Sequence, residues 1–461
     1  MITPQEIVER ALAASSSRAC AVLVRNRSVT NLRWARTTLT TNGETVALSV
    51  TVLAFADVDS GVGVGSLTVN APSLESLPGL VRRAEELAVQ AGPAEDAAPL
   101  AEGIEASRDW SDGPVVATSA EFASLAPEIG EVFAAGRPDG IEHFGYAEQA
   151  VTTVYLGTST GVRLRWADPE ARLELTAKSH DRSRSTWVGR AGRSLDAVDM
   201  AAVDRELRQA LGWQATRVDV APGRHTAVLA PSAVADLMID LYWSSVGRDA
   251  SDGQSVWSRA GGGTRVGELV VDPRVTLHSD PALPGFESAP FLAVGGSSGA
   301  ASVFDNGLPV GATRWIGDGV LENLITTRHT ASDTGLPFRP AADNLRLDVS
   351  GGHGDLADVI SRTDDGLLVT CLWYNRVLDP QTLLLTGLTR DGVYRVRGGE
   401  VVGAVTNFRF NDSPVGILGR IADAGEPTGA LGREMADYFS RSVMPPLVVD
   451  GYNFSTVSLA S

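Results

Sequence analysis

From Gly261 to its end the chain is a succession of short β-type runs cut by glycine, and this pattern confines the second half to a β-rich, mainly antiparallel architecture. The runs fall at residues 267–271, 274–278, 345–349, 366–373, 392–396 and 401–409. Segments so short bury little surface singly, so the expectation is a closed or sandwiched sheet, a barrel or a sandwich. An apolar helix over residues 232–246 precedes them, after a short strand at 226–229.

The first half mixes two periods. Thr3-x-x-Glu6 with Pro4 is a capping box, and Ile7, Val8, Ala11 and Leu12 follow at helical spacing. Alternation then predicts strands at 20–24, 29–34 and 45–53, with Thr41-Asn42-Gly43 as the tight turn before the last of these, and a fourth strand at 63–70. A helix over 77–91, a solvated connection over 92–113 and a helix over 121–135 come next. Strands at 149–156, 162–166 and 172–180 and a helix at 199–211 close this half. The fold class expected is α+β. At 461 residues the chain exceeds what one core usually holds, roughly 250 to 300 residues, so two domains are expected, 1–221 and 222–461, divided at Pro222-Gly223.

A formal charge of −17 with no basic stripe disfavours nucleic acid as a partner. No apolar run approaches the ~20 residues that span a bilayer, so no membrane partner is expected. The opening Met1-Ile2-Thr3-Pro4-Gln5-Glu6-Ile7-Val8 has no basic flank or apolar core of a signal peptide, and the expected location is the cytoplasm. Cys20 and Cys371 show no C-x-x-C spacing and read as two buried small side chains.

Two stretches match the Gly-x-Ser-x-Gly pattern of serine hydrolases, around Ser159 and Ser297. That motif exposes its serine only where a strand turns sharply into a helix, and neither stretch has this context. Gly61-Val62-Gly63-Val64-Gly65-Ser66 lacks both the Rossmann spacing and the terminal Gly-Lys-Ser/Thr of a P-loop, and reads as a glycine-rich strand. Asp236 and Asp240 sit four apart on the apolar helix, with Asp249 and Asp252 beyond it. Such pairs can bind a hard cation or share acid-base work, but the reading preferred here is the wet side of an amphipathic helix, with Val234, Leu237, Met238 and Leu241 on the dry side.

Leu383-Leu384-Leu385-Thr386-Gly387-Leu388-Thr389-Arg390-Asp391-Gly392-Val393-Tyr394, followed by Thr406-Asn407-Phe408-Arg409-Phe410-Asn411-Asp412-Ser413-Pro414, resembles the end of the two-component TldD/TldE (PmbA) peptidases. Residues 157–162, 220–234, 274–290 and 321–331 resemble further parts of that family. Alternation places Phe408 and Phe410 on one face of a strand, and Arg409 on the other offers a fork for a carboxylate.

In that family the metal-carrying subunit, TldD, bears a His-Glu-x-x-x-His helix. Here His143, His180, His225, His278, His329 and His353 are followed by Phe, Asp, Thr, Ser, Thr and Gly, and no histidine lies between His225 and His278. Anchored on Gly253-Gln254-Ser255, the two metal histidines would fall near Met238 and Trp243, neither of which can ligate zinc. The family's ligand cysteine belongs to a glycine-rich motif that is not found around Cys371, so that role is not carried over.

The resemblance therefore implies TldE, the subunit without the motif. It implies no catalytic, cofactor-binding or metal-binding residue in this chain, a TldD-like partner that supplies zinc, and a peptide substrate in general proteolysis or in maturation of a peptide natural product. The alternatives are a stand-alone serine hydrolase using Ser159 or Ser297, and a non-enzymatic binding or scaffold protein.

Overall fold

The computed structural model describes residues 2–458. The first helix, Pro4–Ala14, opens on the expected capping box, with Thr3 and Glu6 each receiving the other's backbone N–H. A six-stranded antiparallel sheet follows, in the order Gly61–Asn70, Thr38–Val58, Ala19–Ala35, Ile141–Thr158, Arg163–Ser179, Ser185–Gly192. These strands are longer than alternation suggested: residues 20–24 and 29–34 belong to one strand, and 163–166 and 172–179 belong to another with the residues between them.

The turn expected at Thr41-Asn42-Gly43 is not there. Those residues are mid-strand, paired with Arg33, Leu32 and Asn31, and the hairpin turns at Arg36 and Thr37, whose φ angles are +50° and +60°. Both central residues at positive φ suit the right-handed twist of the flanking strands. Cross-strand pairing from Ala19 to Ala35 holds Leu32 and Trp34 on the buried face, and a register that keeps both inside outweighs the local preference of Asn-Gly.

Helices Pro4–Ala14 and Leu77–Ala91 cover one end of a sheet face, packing Ile7, Val8, Val81 and Ala84 on Val22, Val24 and Val52. Gly63 and Gly65 permit this approach: a Cβ at either would lie 2.1 Å from the Ala88 carbonyl oxygen and 1.9 Å from that of Ala84, respectively. Helices Leu125–Gly136 and Met200–Trp213 cover Leu32, Trp34, Leu173 and Leu175. Leu23, Leu53, Phe55 and Leu156 pack against Phe291, Val303 and Phe304 of the second half. The connection expected to be solvated is irregular as foreseen, but Leu100 and Ala101 are buried in this last cluster.

The second half holds two open sheets, and among the described residues neither closes into a barrel. The larger has the order Leu372–Asp379, Leu384–Thr389, Asn407–Asp412, Leu447–Ser458, Gly223–Leu229, Asp365–Val369, Val393–Arg397, Glu400–Ala404, with Ile421–Ala424 also pairing to Leu447–Ser458. The smaller has the order Val320–Leu321, Thr313–Gly317, Val275–Ser279, Leu345–Val349, Ser442–Met444, Thr428–Ala430. Gly223–Leu229 with Asp365–Val369, and Leu345–Val349 with Ser442–Met444, pair in parallel; the rest are antiparallel. Residues 267–271 form no strand and contribute one isolated bridge, Leu269 to Val320. The helix Pro231–Trp243 shares one core cluster with residues of both sheets, among them Leu229, Leu367, Phe408 and Phe410 on one side and Leu277, Ile316 and Leu347 on the other. It is a central helix, buried nearly all round.

His143, on Ile141–Thr158, is fully buried and stacks on Phe133 at 5.4 Å, with neither ring nitrogen hydrogen-bonded. Burial, with Arg208 acting the same way against Asp204, pulls its pKa down to about 4. A depressed histidine pKa makes the unfolded chain bind the proton first, so stability present near neutrality is lost as pH falls through the window from 6.5 to about 4, by ~3 kcal/mol in all. His143→Phe is expected to fold and to lose this part of the acid sensitivity, measured by denaturant unfolding across that window.

Candidate functional site around the central helix

Pro231 starts the central helix at a position where its missing N–H costs nothing, and the run Ala233 to Tyr242 is buried with a single half-buried exception, Asp240. Asp236 is 0% exposed, which overturns the expectation that Asp236 and Asp240 mark a wet face. Both sheets cover this helix, and only its C-terminal end, at Asp240 and Trp243, reaches solvent.

The Asp236 carboxylate instead accepts three backbone N–H groups, from Arg433 at 3.1 Å, Glu434 at 3.0 Å and Met435 at 3.2 Å. Gly432 admits the carboxylate so closely that a Cβ there would lie 2.6 Å from Oδ1. Burial, with Asp240 and Glu434 nearby, pushes the Asp236 pKa well up, against the pull of the N–H donors. Asp240 is likewise pushed up, to about 7, by burial and by Glu434, with Arg376 and a hydrogen bond from Asn375 opposing.

Residues 431–441 radiate from this anchor. Arg433 pairs with Asp391 at 2.5 Å, donates to the Cys371 sulfur at 3.3 Å and stacks over Trp187 and Trp373, 5.2 Å and 5.3 Å from the ring centroids. Glu434 accepts from Arg376 and from the Tyr374 N–H, each at 2.9 Å. Arg441 pairs with Asp168 at 2.9 Å, and Asp437 and Ser440 reach Arg172 and Glu170, so the segment also grips the first sheet. Burial pushes the Cys371 thiol up. It opposes ionisation of Asp391 too, yet Arg433 holds that carboxyl below the usual range.

The other sequence candidates lie elsewhere. Ser159 sits in the loop between two strands, where its hydroxyl accepts the Cys20 N–H at 3.0 Å; Ser297 accepts the Val303 N–H at 3.1 Å in an irregular loop. Neither is followed by a helix, and neither hydroxyl is hydrogen-bonded to a histidine among the described residues. Asp252 pairs with Arg248 at 2.9 Å, and Asp249 is exposed. Cys20 and Cys371 are buried and free. Phe408 and Phe410 are buried on one face as expected, but Arg409 meets the Thr386 hydroxyl at 3.2 Å and, among the described residues, no carboxylate. Arg433, Glu434, Asn375 and Asp391 were not singled out from the sequence; Gly432 beside Arg433-Glu434 was the available signal of a close backbone approach.

A zinc ion of the kind the resemblance implies does not fit this set. The lone pairs of Asp236 are directed at three N–H groups, those of Glu434 at Arg376 and Tyr374, and the cationic position beside Cys371 and Asp391 is filled by Arg433. Among the described residues no group of three or more His, Cys, Asp or Glu is arranged to hold a metal ion.

Asp236→Ala leaves three buried N–H groups without an acceptor and is expected to cost about 3 kcal/mol or more. Amide hydrogen exchange is expected to accelerate at Arg433, Glu434 and Met435 ahead of the rest of the molecule, with Asp236→Asn intermediate because it keeps one acceptor oxygen.

Comparison with known proteins places this geometry in a family. The PmbA/TldA metallopeptidase C-terminal domain matches residues 222–456. TldE from Thermococcus kodakarensis has a TM-score of 0.77 at 14% identity, over 97% of this chain and 99% of that one. Two proteins provisionally assigned as modulators of DNA gyrase share the fold as well: one from Bacteroides thetaiotaomicron (TM-score 0.75, 15% identity, 99% of this chain and 100% of that one), the other from Thermotoga maritima (TM-score 0.74, 15% identity, 98% and 100%). No curated protein matches. At these identities the solved structures speak to the fold alone, whereas the domain match extends over half of the sequence: the chain belongs to the TldD/TldE (PmbA) metallopeptidase family.

Proposed function

We propose that this chain is the non-metal-binding subunit of a heteromeric TldD/TldE-type zinc peptidase that cleaves unfolded or short peptides, with maturation of a peptide natural product as one setting. The observation that carries this reading is the content of the central helix. It bears no histidine, Met238 is fully buried in the core, and its one wholly buried carboxylate is engaged by the segment at 433–435. Such a subunit needs no nucleophile or ligand of its own. It completes a peptide groove and stabilises its partner by mass action, while the TldD-like subunit supplies zinc and the water it activates. No helix among the described residues is long and apolar enough to cross a membrane, and the proposed setting is the cytoplasm.

Peptide hydrolysis by this chain, by a TldD-like protein and by their mixture is expected to appear in full only in the mixture and to vanish with a chelator. Hydrolysis by the isolated chain that survives chelation and disappears in Ser159→Ala or Ser297→Ala would establish the serine hydrolase instead. A mixture no more active than the TldD-like protein alone would leave the scaffold reading.

A further inference from the structure

We propose that the free edge of the strand Thr38–Val58, at Asn42, Glu44 and Val46, binds an extended peptide as an added strand, and that it favours a peptide carrying a lysine or arginine beside an apolar residue on one face. The assignment rests on the reading of this chain as part of a peptide-cleaving assembly and names the class of peptide that the chain itself would hold.

The neighbouring strand Gly61–Asn70 pairs only with Ser49 to Val58 and leaves the outer edge of residues 41–47 uncovered. Leu48 fixes which groups point outward. Its carbonyl accepts the Ala71 N–H at 2.9 Å on that outer side, and backbone direction alternates along a strand, so the N–H and C=O of Val46, Glu44 and Asn42 are directed outward as well. Among the described residues nothing donates to or accepts from these groups. From Thr41 to Leu48 the edge carries none of the proline, lysine or bulge by which proteins usually blunt such strands. Ala71 closes the lane at one end, and the hairpin end is open.

One face of the edge selects the ligand. Ser28, cross-strand from Val46, accepts the Ala117 N–H at 3.0 Å, and Glu44 accepts the Ser119 N–H at 2.6 Å, so residues 117–119 run beside the edge on the face that Val46 and Glu44 share. Val46 is 59% exposed and Val116 53%, which leaves apolar surface for a side chain of an added strand. Glu44 has no cationic partner among the described residues, and a lysine or arginine placed opposite it supplies one. The two ligand residues stand two apart, on one face of an extended chain. A second copy of this chain fits poorly. Two-fold pairing centred on the regular stretch sets the two Glu44 carboxylates against each other, and a centre nearer the hairpin brings the bulge at Thr40, which is skipped in the pairing with Ala19–Ala35, into the ladder.

The test is fluorescence anisotropy of the labelled peptide Thr-Val-Thr-Lys-Thr-Val-Thr on the isolated chain. Methylating the backbone nitrogen of its lysine, which faces the edge, is expected to weaken binding about tenfold, whereas methylating that of the next threonine, which faces solvent, leaves binding unchanged. Val46→Pro removes one outward N–H, a change that an edge strand tolerates, and is expected to weaken binding about tenfold with the circular dichroism spectrum intact. Glutamate in place of the peptide's lysine is expected to cost about fivefold, and Glu44→Gln, which keeps an acceptor for the Ser119 N–H, to erase that difference. The methylated peptides leave the protein untouched, so the test stands should Val46→Pro unfold. Equal effects of the two methylations, or a lysine preference that survives Glu44→Gln, would overturn the assignment. So would loss of a TldD-like partner in Val46→Pro with no peptide bound, since that would make this edge a subunit contact. Because binding is read on the chain alone, failure here is distinct from failure of the subunit reading, which is read as activity of the mixture.

Discussion

Everything in the second half depends on satisfying one buried carboxylate. At Asp236 the helix between the two sheets meets no water, so the carboxylate persists there because three backbone N–H groups converge on it and Gly432 lets them come close. That contact sets the path of residues 431–441. From it follow Arg433 between two tryptophans, Glu434 against Arg376 and the Tyr374 N–H, Phe439 against Tyr242 and Trp243, and Arg441 against Asp168. One polar anchor in the core thereby joins the central helix to both the larger sheet and the first sheet.

Local signals carried the sequence reading a good distance. The capping box at Thr3 and Glu6, the helix Leu77–Ala91, the strand Leu345–Val349 and the alternation of Phe408 and Phe410 each depend on neighbouring residues, and each is present. Where tertiary context decided, the reading failed. Asn42-Gly43 is as good a hairpin turn as a sequence offers, yet seventeen cross-strand pairs outvote it. Asp236 and Asp240 look like a solvated stripe because periodicity shows which residues share a face and not whether a second sheet covers that face. The constellation of Arg433, Cys371, Asp391, Trp187 and Trp373 joins residues far apart in the chain, and no spacing rule reaches across such separations.

These failures bear on the proposed role. The two carboxylates of the central helix, read from sequence as surface, prove to be the most informative groups in the molecule. One is spent on architecture. The other faces Asn375 and Arg376 of the edge strand, which oppose the push of burial and Glu434 on its pKa. A zinc centre needs ligands whose lone pairs are free, and those of Asp236 and Glu434 are directed at backbone N–H groups and the Arg376 guanidinium.

The most direct measurement is the zinc content of the chain produced without a partner, equilibrated with zinc and freed of loosely held metal. The account predicts far less than one zinc per chain and no peptide cleavage. One tightly held zinc per chain, tied to cleavage and lost in Cys371→Ser or Asp240→Asn, would contradict it.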